Sequence, residues 1–298
     1  MRTTVPIIIN ATAGSGQAQA ECERLVAIFS SVGVAAQIFA ASSGVELMDT
    51  TQRVAADHPP MIVAGGGDGT LNAVASVLVG SNTTLGVLPL GTLNHFAKDL
   101  GIPLDLDAAA RTIAAGHVTS VDVGEVNGRI FINNSSLGLY PQIVRHRDTQ
   151  QRRLGRGKWP ALMWASLSVL RRSPFMNVRL QVDQTPHQYK TTFVFIGNNE
   201  YVMEGFNIGQ RVRLNAGQLS VYVSHRRGRG ALIALALRAL FGRLQQASDF
   251  QALSAQTLEV ETRRARVHVA TDGEVTVMDT PLFYRVRPGA LRVITPAY

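Results

Sequence analysis

Apolar residues recur at two different periods along this chain, and the change falls near residue 120. In the first part, short continuous apolar runs take turns with segments whose apolar residues return every three or four positions. Ile7–Asn10, Ala35–Ala40, Met61–Ala64 and Leu85–Leu88 read as strands. Ala18–Ser31, with Cys22, Leu25, Val26 and Phe29 on one stripe, reads as a helix. So do Gly44–Ala56, Leu71–Val79, Asn94–Leu100 and Leu106–Ala115. Repeated βα units predict a parallel sheet whose ligands sit at the carboxyl ends of its strands.

After Gly116 the period drops to two. Thr119–Val126, Ile130–Ser135, Met176–Val182, Gln188–Gly197, Gln218–Ser224, Gln256–Thr262, Arg266–Ala270 and Leu282–Arg287 alternate apolar and polar positions between turn signals. That pattern predicts an antiparallel sandwich or barrel. Two helical stretches, Trp159–Arg171 and Ala231–Leu244, interrupt it. The expected fold class is α/β plus β: a parallel α/β domain over 1–120 and an antiparallel β-sandwich over 121–288. The last strand-like piece, Leu291–Thr295, is free to close either domain, which makes 289–298 a candidate completion of the first.

Composition narrows the class. The 298 residues, 46% hydrophobic and 17% charged, suit a globular chain with ample core. A lone cysteine, Cys22, excludes an internal disulfide framework and fits a reducing compartment. Met1–Thr4 run directly into strand-like Val5–Ile9, with no visible signal peptide, and no apolar run is long enough for a membrane span. A cytoplasmic location is therefore expected.

The net charge of +8 is unevenly placed. Residues 1–120 hold five basic and nine acidic side chains, whereas 121–298 hold 24 basic and 12 acidic, a net +12. Such a half suits an anionic partner. No basic motif is interleaved with aromatic residues, so nucleic acid is not expected. Trp159–Arg171 lies between Arg152, Arg153, Arg156 and Lys158 on one side and Arg171 and Arg172 on the other, which suits transient docking on an anionic membrane surface. A helix packed on the sandwich is the competing reading, and Arg226–Arg229 before Ala231–Leu244 pose the same choice. Oligomeric state is not legible.

The candidate chemistry sits at four loops. Gly65, Gly66, Gly67, Asp68, Gly69, Thr70, Leu71 and Asn72 follow an apolar run and open a helical pattern. Glycines there let backbone N–H groups approach an anion, and a helix N-terminus adds partial positive charge. Asp68 repels phosphate unless it holds Mg²⁺ or polarises a hydroxyl. Neither a Walker A loop nor a Rossmann fingerprint is present. Asn10–Gly16, with Gly14, Ser15 and Gly16, offer a second small-residue loop after the first strand. In the third loop, Pro89–Pro103, Gly91 makes the turn, and Thr92 and Asn94 are candidate donors to phosphate oxygens. Thr271-Asp272-Gly273-Glu274 place two carboxylates around a glycine, either as a metal ligand or general base or as a plain β-turn. The histidines at 58, 117, 146, 187, 225 and 268 lack metal-ligand spacing, and Asn198-Asn199-Glu200 read as a loop.

In order and wording, these four elements resemble the catalytic domain of the diacylglycerol kinase and sphingosine kinase superfamily, in its small bacterial lipid-kinase form. The resemblance covers essentially the whole chain and rests on Gly-Gly-Gly-Asp-Gly-Thr-Leu-Asn and Pro-Leu-Gly-Thr-x-Asn. A Gly-Gly-Asp-Gly turn is shared more remotely with NAD kinases. It implies a nucleotide domain joined to a lipid-binding sandwich, with transfer of the γ-phosphoryl group of ATP to a lipid hydroxyl, diacylglycerol foremost. It implies nucleotide contacts from Asn10, Gly66, Asp68, Gly69, Thr70 and Thr92, and a proton acceptor at Asp272 or Glu274. The alternatives are an NAD-kinase-like enzyme for a soluble acceptor and a non-catalytic nucleotide- or lipid-binding protein. Two departures stand out. His95 replaces the family's usual Asp after Gly-Thr-x-Asn, and Ala216 replaces the carboxylate of an Asp-Gly pair that holds a structural Mg²⁺, so that site is expected to be weak or missing.

Overall fold

The computed structural model describes residues 4–10, 15–138, 175–204, 207–224 and 250–297. The expected helices at Trp159–Arg171 and Ala231–Leu244, their flanking arginines, and Gly14 lie outside the described residues. The chain divides into two compact units. Unit 1 is Met1–Val123, Leu214–Ala216 and Arg287–Tyr298, and unit 2 is Gly124–Arg213 and Gly217–Val286.

Unit 1 alternates β1 (Val5–Asn10), α1 (Ser15–Ser31), β2 (Ala36–Ala41), α2 (Gly44–Ala56), β3 (Met61–Gly66), α3 (Asp68–Leu78), β4 (Thr84–Pro89), α4 (His95–Asp99), α5 (Leu106–Ala115) and the start of β5 (Val118–Val126). Its strands are parallel in the order β2-β1-β3-β4, with Ile7 opposite Ile38 and Val63, and Ala64 opposite Val87. Ile7, Ile8, Ile62, Val63, Leu85 and Val87 are all fully buried. Strands covered on both faces read as continuous apolar runs, which is why they were legible. Two helices are bounded by their own caps. Ser43 accepts the Glu46 N–H at the start of α2, and Asp105 accepts the Ala108 N–H at the start of α5. Gly116, with φ +71°, ends α5. The carboxyl ends of β1, β3 and β4 bring Asn10, Gly66 and Pro89 to one edge of the sheet.

Unit 2 is an antiparallel sandwich. It contains the end of β5, β6 (Arg129–Phe131), β7 (Asn134–Gly138), β8 (Met176–Val182), β9 (Thr185–Thr191), β10 (Phe193–Asn198), β11 (Tyr201–Glu204), β12 (Asn207–Arg211), β13 (Leu219–Ser224), β14 (Phe250–Ala255), β15 (Thr257–Thr262), β16 (Arg266–Thr271), β17 (Glu274–Asp279) and the first part of β18 (Leu282–Ile294). One layer runs β9-β8-β15-β18 and the other β14-β13-β10-β7-β16-β17, while β11 and β12 form a two-stranded sheet among the described residues. Leu180, Leu258, Val260 and Tyr284 from the first layer pack with Leu137, Val194, Ile196, Val221 and Val269 from the second. The far end of β18 runs parallel to β4 in unit 1, with Val293 opposite Leu85.

Several expected elements are redrawn. Ile130–Ser135 is two strands, because the backbone N–H groups of Ile132, Asn133 and Asn134 turn to a side chain between them. Gln188–Gly197 is also two, β9 and β10, parted at Thr192. Four strands had no counterpart in the sequence reading: the paired β11 and β12, β14 and β17. Leu282–Arg287 and Leu291–Thr295 fuse into one long strand through Pro288 and Gly289.

Candidate functional site

In unit 1 the β3–α3 turn and the β4–α4 loop pack against each other. Asp68 opens α3, and its carboxylate crosses to the second loop. Oδ2 accepts the His95 N–H at 3.2 Å and Oδ1 the Phe96 N–H at 3.0 Å. These are first-turn N–H groups of α4, which no intrahelical carbonyl reaches. Asp68 therefore caps α4 as well as starting α3. It remains half-exposed, and both oxygens keep lone pairs for a further ligand.

The glycines divide into two kinds. A Cβ on Gly65 would come within 2.8 Å of Ile9 Cγ2, and one on Gly66 would meet the Thr70 side chain at 2.5 Å. These two are small because protein atoms fill the space where a Cβ would stand. Gly69 is different: a Cβ there would meet nothing within 4 Å. Gly67 caps α3 without a side chain, so the first-turn N–H groups of this 11-residue helix face an open approach. On the same helix, buried Asn72 has an Oδ1 with no hydrogen-bond partner.

In the β4–α4 loop, Asn94 turns its side chain onto its own loop. Its backbone is left-handed, its amide donates to the carbonyls of Gly91 at 2.8 Å and Pro89 at 3.4 Å, and its Oδ1 accepts the Gly91 N–H at 3.0 Å. It locks its own loop. Thr92 and His95 stay exposed, as does Asn10 at the end of β1. The side chain of Ser15 lies outside the described residues.

In unit 2, Asp272 and Gly273 form the two-residue turn of the β16–β17 hairpin, with Thr271 opposite Glu274. Their φ values of +47° and +85° are those of the hairpin turn that follows strand twist. The plain-turn reading was thus right about the backbone. The two carboxylates then part company. Asp272 is half-buried, its Oδ2 accepting the Ile132 N–H at 2.7 Å and its Oδ1 those of Asn133 and Asn134 at 2.9 Å. Burial pushes its pKa up to about 6, against the pull of those three N–H groups and the Arg211 charge. Glu274, 72% exposed, holds Arg129 at 2.7 Å, while Arg129 Nε donates to Thr271 Oγ1 at 3.0 Å.

Two buried groups escaped the sequence reading. Arg211 donates to the Ile132 carbonyl at 2.6 Å, the Asn198 carbonyl at 3.3 Å and Asn133 Oδ1 at 3.1 Å. Arg211 and Asp272 therefore hold opposite polarities of the Ile132–Asn134 backbone. In unit 1, buried Asp122 accepts the Gly289 N–H at 2.8 Å, and its own N–H donates to the Leu214 carbonyl. Neither carries a local motif; the only sequence signal was a charge inside a strand. Asn215 and Ala216 are exposed. Among the described residues no three His, Cys, Asp or Glu side chains cluster as a metal site, and no helix is long and apolar enough to cross a membrane.

Residues 4–126 match the family described as diacylglycerol kinase catalytic domain, and residues 136–295 that of the YegS C-terminal NAD kinase beta sandwich-like domain. A diacylglycerol kinase of Staphylococcus aureus (strain MRSA252) is 33% identical over 145 residues, 48% of this chain and 46% of that protein; another, from strain Newman, is 32% identical over the same length. The chain thus matches about half the length of these curated relatives. A solved structure from Bacillus anthracis str. Sterne shares the fold at TM-score 0.76 and 24% identity, covering 98% of this chain and 95% of its own. The crystal structure of a diacylglycerol kinase from the same organism gives 0.71 and 22%, over 98% and 96%.

Proposed function

We propose that this chain, which belongs to the family of diacylglycerol kinase catalytic domains joined to a YegS-type sandwich, is an ATP-dependent lipid kinase acting on diacylglycerol or a related lipid alcohol. The observation that carries the reading is Asp68. One carboxylate ties the open N-terminus of α3 to the loop before α4, inside the segment that matches the catalytic domain.

The residues fit a nucleotide phosphate with its cation. The first turn of α3 offers N–H donors beside Gly69, where no Cβ blocks the approach, and Asn72 keeps a buried Oδ1 unpartnered. Asp68 is the candidate Mg²⁺ ligand, since a hard cation takes oxygen donors. When bound, ATP with Mg²⁺ supplies the transferable phosphoryl group and neutralises its charge. The protein's part is positioning. Backbone N–H groups of Asp68, Gly69 and Thr70 hold phosphate oxygens, with Thr92 and Asn10 as further contacts. Glu274 accepts the proton of the lipid hydroxyl, because Asp272 is committed to three backbone N–H groups and Glu274 is open to solvent. The +12 charge of residues 121–298 supports transient docking of a cytoplasmic protein on anionic membrane.

The test is γ-phosphoryl transfer to diacylglycerol, a sphingoid base and other lipid alcohols in mixed micelles, with NAD as the soluble acceptor. Transfer to a lipid and not to NAD is expected. Transfer to NAD alone would overturn the proposal, as would nucleotide binding without transfer to any acceptor.

A further inference from the structure

The outer face of the β8–β15–β18 layer in unit 2 carries a recess of about 520 Å³. Its position follows from strand register. Leu180, Leu258, Val260 and Tyr284 point into the sandwich core, so their alternates Gln181, Glu259 and Phe283 point out. Glu259 lies directly opposite Gln181 on one side and Phe283 on the other, setting the three in one row. Glu125 and Arg285 form a wall, the Arg285 Nη2 reaching the Glu125 carboxylate at 2.8 and 2.9 Å.

Two independent features point to what the recess accepts. The first is Phe283, 56% exposed on a sheet face that is ordinarily polar. The second is charge. The lining holds two carboxylates and one guanidinium, and the guanidinium is committed to Glu125. Glu259 has no ion pair with any described residue, and its nearest alternate on the same strand, Glu261, already takes Arg179. Among the described residues the recess is therefore locally negative, on a chain whose net charge is +8. An aromatic face beside an unpaired carboxylate is the arrangement that recognises ammonium groups through cation–π and charge attraction. Its volume falls within the range of small-molecule sites.

We propose that this recess binds a small organic cation, a primary or quaternary ammonium group, between the Phe283 ring and the Glu259 carboxylate. The same chemistry occurs in free amines and in amine-bearing lipid headgroups.

Calorimetric titration of the full chain with choline chloride and with ethanolamine hydrochloride at low ionic strength tests it, glycerol serving as the neutral control. Saturable binding of at least one cation and none of glycerol is expected. Glu259→Gln and Phe283→Ala should each weaken it about 3- to 30-fold without moving the thermal transition, since both side chains face outward. Wild-type protein that binds neither cation would overturn the proposal, as would equal binding of glycerol or unchanged affinity in both variants. Phosphatidylcholine vesicles identify the source once binding is seen. Competition with free choline assigns a lipid headgroup, and lack of competition assigns a soluble cation.

Discussion

Gly91 stands so close to Gly67 that a Cβ on Gly91 would collide with the Gly67 Cα. The loops after β3 and β4 therefore meet backbone to backbone, and the Asp68 carboxylate crosses at that contact. Gly91→Ala should push the two loops apart. The expected cost is about 1–3 kcal/mol in denaturant unfolding, the usual scale of overpacking. Nucleotide affinity should fall with it. A variant with wild-type stability and nucleotide KM would mean the loops separate freely.

Asp68→Asn tests the carboxylate at nearly constant volume. An amide still offers one oxygen to the α4 N–H groups, so the fold should survive with a loss of about 1 kcal/mol. Phosphoryl transfer should be abolished, because the negative charge is what a metal or proton role requires. Near-normal turnover by the folded variant would remove Asp68 from the chemistry.

The hairpin carboxylates should separate by mutation. Glu274→Gln is expected to lower kcat by about two to four orders of magnitude, the scale of general-base catalysis. Its melting temperature should hardly move, since an exposed ion pair contributes about 0–1 kcal/mol. Asp272→Ala should instead unfold at lower denaturant, because three inward N–H groups lose their acceptor. Full kcat in Glu274→Gln would return the proton acceptor to open question and leave Asp272 as the remaining carboxylate of the turn.

Asp272 also makes a pH prediction. Its folded pKa, about 6, is raised above the unfolded value of 3.8. A raised pKa means the folded state holds the proton more tightly. That contribution is fully present below about pH 3.8 and is lost as pH rises through about 6. The stability of the wild type relative to Asp272→Asn should therefore decline across this window, by at most about 3 kcal/mol, and stay level above it. A difference that grows with pH would show that the three N–H groups outweigh burial.

Vesicle co-sedimentation checks the charge asymmetry. Anionic vesicles should bind the protein and neutral ones much less, with release at high ionic strength. Equal binding to both, or binding indifferent to salt, would leave the arginine excess without a membrane role.

The sequence by itself determined what neighbouring residues decide. Gly44–Ala56 and Leu106–Ala115 were legible to the residue because Ser43, Asp105 and Gly116 cap them from within a few positions. β1, β3 and β4 were legible because burial on both faces leaves an unbroken apolar run. β17 was not, since its alternation begins within the Asp-Gly-Glu signature that drew a chemical reading. Which of two adjacent carboxylates faces solvent was also out of reach. A left-handed turn sends Asp272 inward to N–H groups about 140 positions earlier in the chain and leaves Glu274 outside. Gly65 and Gly91 tell the same story: their smallness is dictated by Ile9 and Gly67, partners that only the folded sheet brings near. Local pattern fixes an element through propensity and capping. The identity of a distant hydrogen-bond partner depends on strand order and register, which come into being when the layers close over their core.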